Sequence, residues 1–137
     1  MIHNIYFDGG SALSMVCICD EYRDLYWTEK IVPKMTNNQL EYIALIKGIN
    51  YVKNYYGGLG EILFIGDSEL IIKQMKNEYK VKKYHLKQLH ESVMREFRSS
   101  DIENTSGHFK WVSREKNKAG IVLEELLRKT KRVIING

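Results

Sequence analysis

The chain is predicted to form an α/β domain in which a five-stranded mixed sheet is flanked by helices, in the order β-β-β-α-β-α-α-β-α. Three observations predict it. Three short runs rich in branched and aromatic residues stand together before the only proline, Pro33, as an antiparallel meander does. Beyond Pro33, apolar runs of strand type alternate with runs of helical period, which adds parallel strands to the same sheet and lays helices on its faces. Finally, 137 residues without a repeat, linker or low-complexity segment suit a single domain spanning 1–137, long enough to bury its own core.

Each element has its own signal. Ile2 to Phe7 is apolar and ends at Asp8-Gly9-Gly10, a strand followed by a turn. Leu13 to Cys19 and Leu25 to Val32 are the next two strands, with Glu21 to Asp24 as the hairpin connection. Thr36 with Gln39 three residues on fits a capping box, so a helix should run to about Tyr55 and stop at Gly57-Gly58. Ile62 to Ile65 is a continuous apolar run, as in a strand buried on both faces. Asp67-Ser68 opens a short helix through about Met75. Leu86, Leu89, Val93 and Phe97 keep helical spacing until Ser99-Ser100-Asp101 breaks it. Thr105 to Val112 reads as the fifth strand. Ala119, Val122, Leu123, Leu126 and Leu127 form the apolar stripe of a last helix.

Composition narrows the classes of function. Hydrophobic content of 44% and charged content of 28% are ordinary for a globular protein. No apolar run approaches the roughly 18 residues of a membrane span, and Met1-Ile2-His3-Asn4 lacks the pattern of a secretory signal, so the expectation is a cytoplasmic protein with no membrane association. Cys17 and Cys19 would share one face of a strand, about 7 Å apart, too far for an unstrained disulfide. Without further ligands nearby they are also a poor zinc site, and buried free thiols are expected. The net charge of +4 permits a polyanionic partner. Its distribution says more: Lys73, Lys76, Lys80, Lys82, Lys83 and Lys87 crowd one stretch with Tyr79 and Tyr84 interleaved, and Arg128, Lys129, Lys131 and Arg132 lie near the end of the chain. Solvated helix surface and phosphate contact both fit these groups; the second predicts steep salt dependence.

Three acids carry the chemistry. Asp8 ends the predicted first strand, Asp67 ends the fourth, and Glu41 lies one turn into the first helix. Singly, each has an ordinary reading: a turn residue before glycines, a partner for the helix dipole, a helix cap. Together they fall at the carboxyl edge of one sheet, where the crevice of an α/β protein lies. Clustered carboxylates repel, and a divalent metal relieves them.

The contexts of these acids resemble the type 1 ribonuclease H family. Tyr6-Phe7-Asp8-Gly9, Thr36-Asn37-Asn38-Gln39-Leu40-Glu41-Tyr42 and Gly66-Asp67-Ser68-Glu69-Leu70 match its motifs in order. So do Glu78-Tyr79-Lys80-Val81-Lys82 and Trp111-Val112-Ser113-Arg114-Glu115-Lys116-Asn117-Lys118, and the likeness covers nearly the whole chain. The Thr-Asn-Asn-Gln-x-Glu element is the specific one. The resemblance implies a ribonuclease H-like fold and a metal-dependent endonuclease that hydrolyses the RNA strand of RNA–DNA hybrids to 5′-phosphate and 3′-hydroxyl products. It implies Asp8, Glu41 and Asp67 as catalytic residues holding two Mg²⁺ or Mn²⁺ ions. Gly9, Gly10, Thr36, Asn37, Asn38, Ser68 and Asn117 would contact the hybrid, recognised by shape and 2′-hydroxyl rather than by base. A monomer is expected.

The chain also departs from the family. A fourth carboxylate is normal four residues after the asparagine matched by Asn117, and that position is Ile121. Isoleucine binds no metal, which leaves three outcomes open. Glu124 or Glu125, one turn onward, replaces it, with Glu125 counted as a further candidate metal ligand; activity persists with weak metal affinity; or the domain binds nucleic acid or a protein partner without cleavage. The turn after Asp8 is short, the basic stretch is too short for the protruding handle of some relatives, and no histidine lies between Val112 and Asn117. His108 is expected to be structural.

Overall fold

A computed structural model describes residues 2–136, so Met1 and Gly137 of the expected domain lie outside the described residues. β1 (His3–Gly10), β2 (Met15–Asp20) and β3 (Leu25–Lys30) form the antiparallel meander. β4 (Ile62–Gly66) joins the free edge of β1 in parallel and β5 (Phe109–Trp111) joins β4, giving the sheet order β3-β2-β1-β4-β5. The helices are α1 (Asn37–Tyr56), α2 (Glu69–Met75), α3 (Tyr84–Ser99) and α4 (Lys118–Asn136). This is the predicted ribonuclease H-like mixed sheet in the predicted order.

The two faces of the sheet are covered differently. Ile5, Phe7, Val16, Ile18 and Phe64 meet Leu40, Ala44, Leu45, Ile49 and Val52 of α1, with Val93 and Phe97 of α3 behind them. Burying a side chain of this size stabilises by about 1.5–3 kcal/mol. On the opposite face Cys17 and Cys19 pack with Ala119 and Leu123 of α4, and both thiols are free and buried as expected.

The helix signals hold at both ends of α1. Gln39 N donates to Thr36 Oγ1 at 3.2 Å and Thr36 N donates to Gln39 Oε1 at 2.9 Å, closing the capping box. Gly57 takes the left-handed conformation, φ 78, that ends it. At α2 the cap is Ser68, whose Oγ accepts from Ile71 N at 3.3 Å, so Asp67 is left free of that task.

Several boundaries differ from expectation: β2 begins at Met15 rather than Leu13 and β3 ends at Lys30 rather than Val32. β1 does not stop at Phe7: it runs on to Gly10, with Gly9 opposite Val16 and Gly10 opposite Met15, so Asp8 sits inside a strand rather than at its end. Extended glycines keep the ladder's hydrogen bonds, and the turn begins only at Ser11. The fifth strand is shorter than the predicted Thr105 to Val112. The Thr105 hydroxyl donates to the Met75 carbonyl and Ser106–His108 form a 3₁₀ turn, which leaves Phe109–Trp111 to pair. His108 is structural as expected, its Nδ1 3.1 Å from the Ile62 carbonyl oxygen and its ring against Phe97.

Candidate active site

The sheet register sets the first two acids side by side. Tyr6 pairs with Ile65 in the parallel β1–β4 ladder, and Asp8 and Asp67 each lie two residues further on. With a strand period of two, both side chains emerge on one face. Glu41 comes from α1, on the other face of the sheet. It reaches them because β1 has no side chain at Gly9: a Cβ there would stand 2.4 Å from the Leu40 carbonyl carbon and 2.7 Å from Glu41 N. Helix backbone and strand backbone are in contact, and Gly9 is what permits it.

One carboxylate oxygen from each of Asp8, Glu41 and Asp67 lies within 4.8 Å of the others. Asp8 and Glu41 are buried, Glu41 to 7% exposure, and Glu41 Oε2 has no hydrogen-bond partner. Burial first, then the neighbouring Asp8 carboxyl, pushes the Glu41 pKa up to about 10. Burial likewise raises Asp8, the contact with Glu41 and the charge of Arg114 pulling the other way. Oxygen donors of this kind, crowded, desolvated and incompletely satisfied, are the donor set of a hard divalent cation.

Asp67 is held from two sides. Asn117 Nδ2 donates to Asp67 Oδ2 and to the Phe7 carbonyl, both at 3.0 Å, while its Oδ1 accepts from Ala119 N at 3.1 Å. Trp111 Nε1 donates to the Asp67 carbonyl at 3.0 Å. One asparagine thus ties the start of α4 to β1 and to the residue that follows β4. Asn117, expected as a substrate contact, is fully buried, and its polar atoms are hydrogen-bonded within the protein. Gly9 is buried beneath α1, and Ser68, whose Oγ caps α2, also lies beside Glu41.

The remaining expected contact residues stay at the surface. Thr36 and Asn37 are exposed and Gly10 and Asn38 partly so. Asn37 Oδ1 accepts from Ser11 N at 2.8 Å, fixing the short turn after β1 to the start of α1. From Asn38 a groove of about 510 Å³ passes Leu70 and Gln74 to Tyr79, Lys80, Lys82 and Lys83. The basic stretch therefore opens onto the same side as the helix start.

Two neighbouring residues of α4 bear on the missing fourth acid. Ile121 is 47% exposed. Its neighbour Gly120 lies close against the acids: a Cβ there would stand 3.2 Å from Asp8 Oδ2 and 3.3 Å from Asp67 Oδ2. Glu125, a candidate ligand in the sequence, is instead paired with Arg128 at 2.8 Å, outside the cluster. Two residues near the acids, Gly120 and Arg114, were not anticipated. A glycine in a helical apolar pattern costs about 1 kcal/mol relative to alanine and so signals a close approach. Arg114 carries no such signal, because its nearness to Asp8 depends on the 3₁₀ turn Arg114–Lys116.

Among the described residues no helix is long and apolar enough to cross a membrane. The family model described as reverse transcriptase-like matches residues 7–123. No curated protein matches the chain. Among solved structures it is similar to LC11 ribonuclease H1 in complex with an RNA/DNA hybrid, at 26% identity and TM-score 0.70, over 85% of this chain and 88% of that one. LC11 was isolated from compost by a metagenomic approach. The fold is shared with ribonuclease H1 of the archaeon Halobacterium salinarum NRC-1, at 24% identity and TM-score 0.74 over 90% and 94% of the two chains. It is shared too with the N-terminal ribonuclease H domain of rv2228c from Mycobacterium tuberculosis, at 22% and 0.68 over 94% and 97%.

Proposed function

Since the chain belongs to the reverse transcriptase-like family, and there to the type 1 ribonuclease H enzymes, we propose that it is a metal-dependent endonuclease that hydrolyses the RNA strand of RNA–DNA hybrids, leaving 5′-phosphate and 3′-hydroxyl ends. The observation that carries this reading is the convergence of Asp8, Glu41 and Asp67 within 4.8 Å, with the buried Glu41 Oε2 unpartnered. Asp8, Glu41 and Asp67 would hold two Mg²⁺ or Mn²⁺ ions. When bound, such ions supply an acidified water and neutralise charge on the leaving oxygen of a phosphodiester.

The chain's own residues do the rest. Asn117 orients Asp67. Arg114 is exposed at the rim beside Asp8, where a guanidinium suits a phosphate oxygen. Gly10, Asn37 and Asn38 offer the surface that meets RNA sugar edges in the shallow groove of the hybrid, with Thr36 toward a phosphate of the DNA strand. Lys80, Lys82 and Lys83, lining the groove from Asn38, take backbone phosphates. Such contacts recognise shape and the 2′-hydroxyl, so cleavage is independent of base sequence.

A second reading is a module that binds hybrid without cutting it, favoured by the absence of a carboxylate at both 120 and 121. A labelled-hybrid assay in Mg²⁺ and in Mn²⁺ separates the two. Wild type cuts the RNA strand and Asp8→Asn does not if the enzyme reading is right. Equal background cutting by both proteins, with hybrid retained in a binding assay, leaves only the second.

A further inference from the structure

We propose that the free edge of β3 is a self-association surface, on which a second copy of this chain lays its own β3 antiparallel and joins two sheets into one. The two edges of the sheet are protected unequally. β5, at one end of the strand order, is only three residues long, and shortness is one way that proteins blunt an edge. β3, at the other end, runs for six residues without proline or bulge, and its charges are confined to Glu29 and Lys30. Leu25, Tyr26 and Trp27 stand in a row at 51%, 64% and 41% exposure. Among the described residues, no segment other than β2 hydrogen-bonds to the backbone of β3.

The register of β2 on β3 tells which groups face outward. Ile31 N donates to the Ser14 carbonyl at 2.7 Å, one step beyond the pairing of Met15 with Lys30. Hydrogen-bonded and non-bonded pairs alternate along an antiparallel ladder, so Leu25, Trp27 and Glu29 bond toward β2. Tyr26, Thr28 and Lys30 therefore turn their N–H and C=O groups to the open side. A second β3 can use those groups only in registers that set even-numbered residues against even-numbered ones. Of these, the register centred on Trp27 also pairs unlike charges. It sets Lys30 against Asp24 and Tyr26 against Thr28, twice over across the two-fold axis, with Trp27 against Trp27 in the middle. Opposite charges and facing aromatic rings are the cross-strand pairs that stabilise a ladder. Lys30 and Asp24 are both exposed, and neither is engaged in an ion pair among the described residues.

Beside this edge, β3 and the outer face of α1 enclose a groove of about 470 Å³ between Leu25, Trp27, Asn50 and Asn54. Residues directly opposite in a ladder project to the same face of the sheet, so the second copy's Trp27 comes to rest at this groove. A six-residue strand buries less than the roughly 1,200 Å² of a stable complex. The dimer is accordingly weak, and dilute protein remains the monomer expected from the sequence. No residue of the acid cluster takes part, so the pairing stands or falls independently of the enzyme reading.

Sedimentation velocity from low-micromolar to near-millimolar protein tests it, with wild type passing from monomer to dimer. Lys30→Asp sets like charges against each other twice across the interface and weakens association about tenfold. Adding Asp24→Lys restores unlike pairs and the wild-type constant. Amide hydrogen exchange needs no variant: the Tyr26 and Thr28 amides exchange fast in dilute protein and slow down as the dimer forms. A wild type that stays monomeric throughout overturns the proposal, as does exchange at Tyr26 and Thr28 that is equally fast at both ends of the range. A dimer indifferent to Lys30→Asp also overturns it, because the copies then meet elsewhere. Where the single change weakens the dimer but the double variant does not recover, exchange at Tyr26 and Thr28 decides.

Discussion

Gly9 and Glu41 are in backbone contact: a Cβ on the glycine would stand 2.7 Å from the glutamate's nitrogen. Strand and helix cannot approach this closely with any other residue at position 9. The contact brings an acid from one face of the sheet to acids on the other.

Gly9→Ala should therefore act on the site and not merely on the core. Overpacking against backbone costs about 1–3 kcal/mol, read as a lower denaturation midpoint. A displacement of Glu41 by about an ångström costs cleavage about 100-fold. Wild-type stability together with wild-type cleavage in the Ala variant would refute the contact.

Asn117→Ala removes the donor shared by Asp67 Oδ2 and the Phe7 carbonyl. Leaving buried partners unsatisfied costs about 1–3 kcal/mol, and releasing Asp67 weakens Mn²⁺ binding about 10- to 100-fold. A substrate contact would behave otherwise, raising KM with stability and metal affinity unchanged. Denaturation and calorimetry on one variant decide between the roles.

The acids make the metal-free protein sensitive to alkali. In the folded chain Glu41 titrates near 10, against 4.5 for an unperturbed glutamate, chiefly because it is buried. The native state then holds more protons than the unfolded state between those values, so stability falls as pH rises through that window. Thermal denaturation in a chelator should show a falling Tm from about pH 5 to pH 10. Mn²⁺ should raise Tm most at the high end, where both carboxylates must ionise to bind it. A chelated Tm that climbs over this range would contradict the burial of Glu41.

Lys80, Lys82 and Lys83 should be felt through salt. If each meets a phosphate, replacing all three by alanine reduces the slope of log Kd against log salt by about one unit per lysine, without changing preference among hybrid sequences. Binding isotherms at several salt concentrations measure it. An unchanged slope would make these lysines ordinary solvated surface.

Much of this architecture is written in local pattern. The capping box at Thr36 and Gln39, the stop at Gly57 and the stripe of α4 are properties of neighbouring residues, and each appears in the structure where its spacing puts it. Local pattern failed where distant groups competed. Residues 105–108 read as strand, but Thr105 finds the Met75 carbonyl and the chain turns instead. Asn117 looks like a surface amide until strands β1 and β4 supply its partners. The close approach of α4 to the acids at Gly120 likewise depends on how the helix packs against the sheet.

By itself the amino-acid sequence determined the order of the elements, the mixed sheet and the identity of the three acids, because periodicity, capping and motif spacing act within a few residues. Only the tertiary structure decided how close those acids come, which amide holds Asp67 and how tightly α4 approaches them at Gly120. Those outcomes depend on strand register and on the approach of α1 at Gly9, and both are set by packing between segments far apart in the chain.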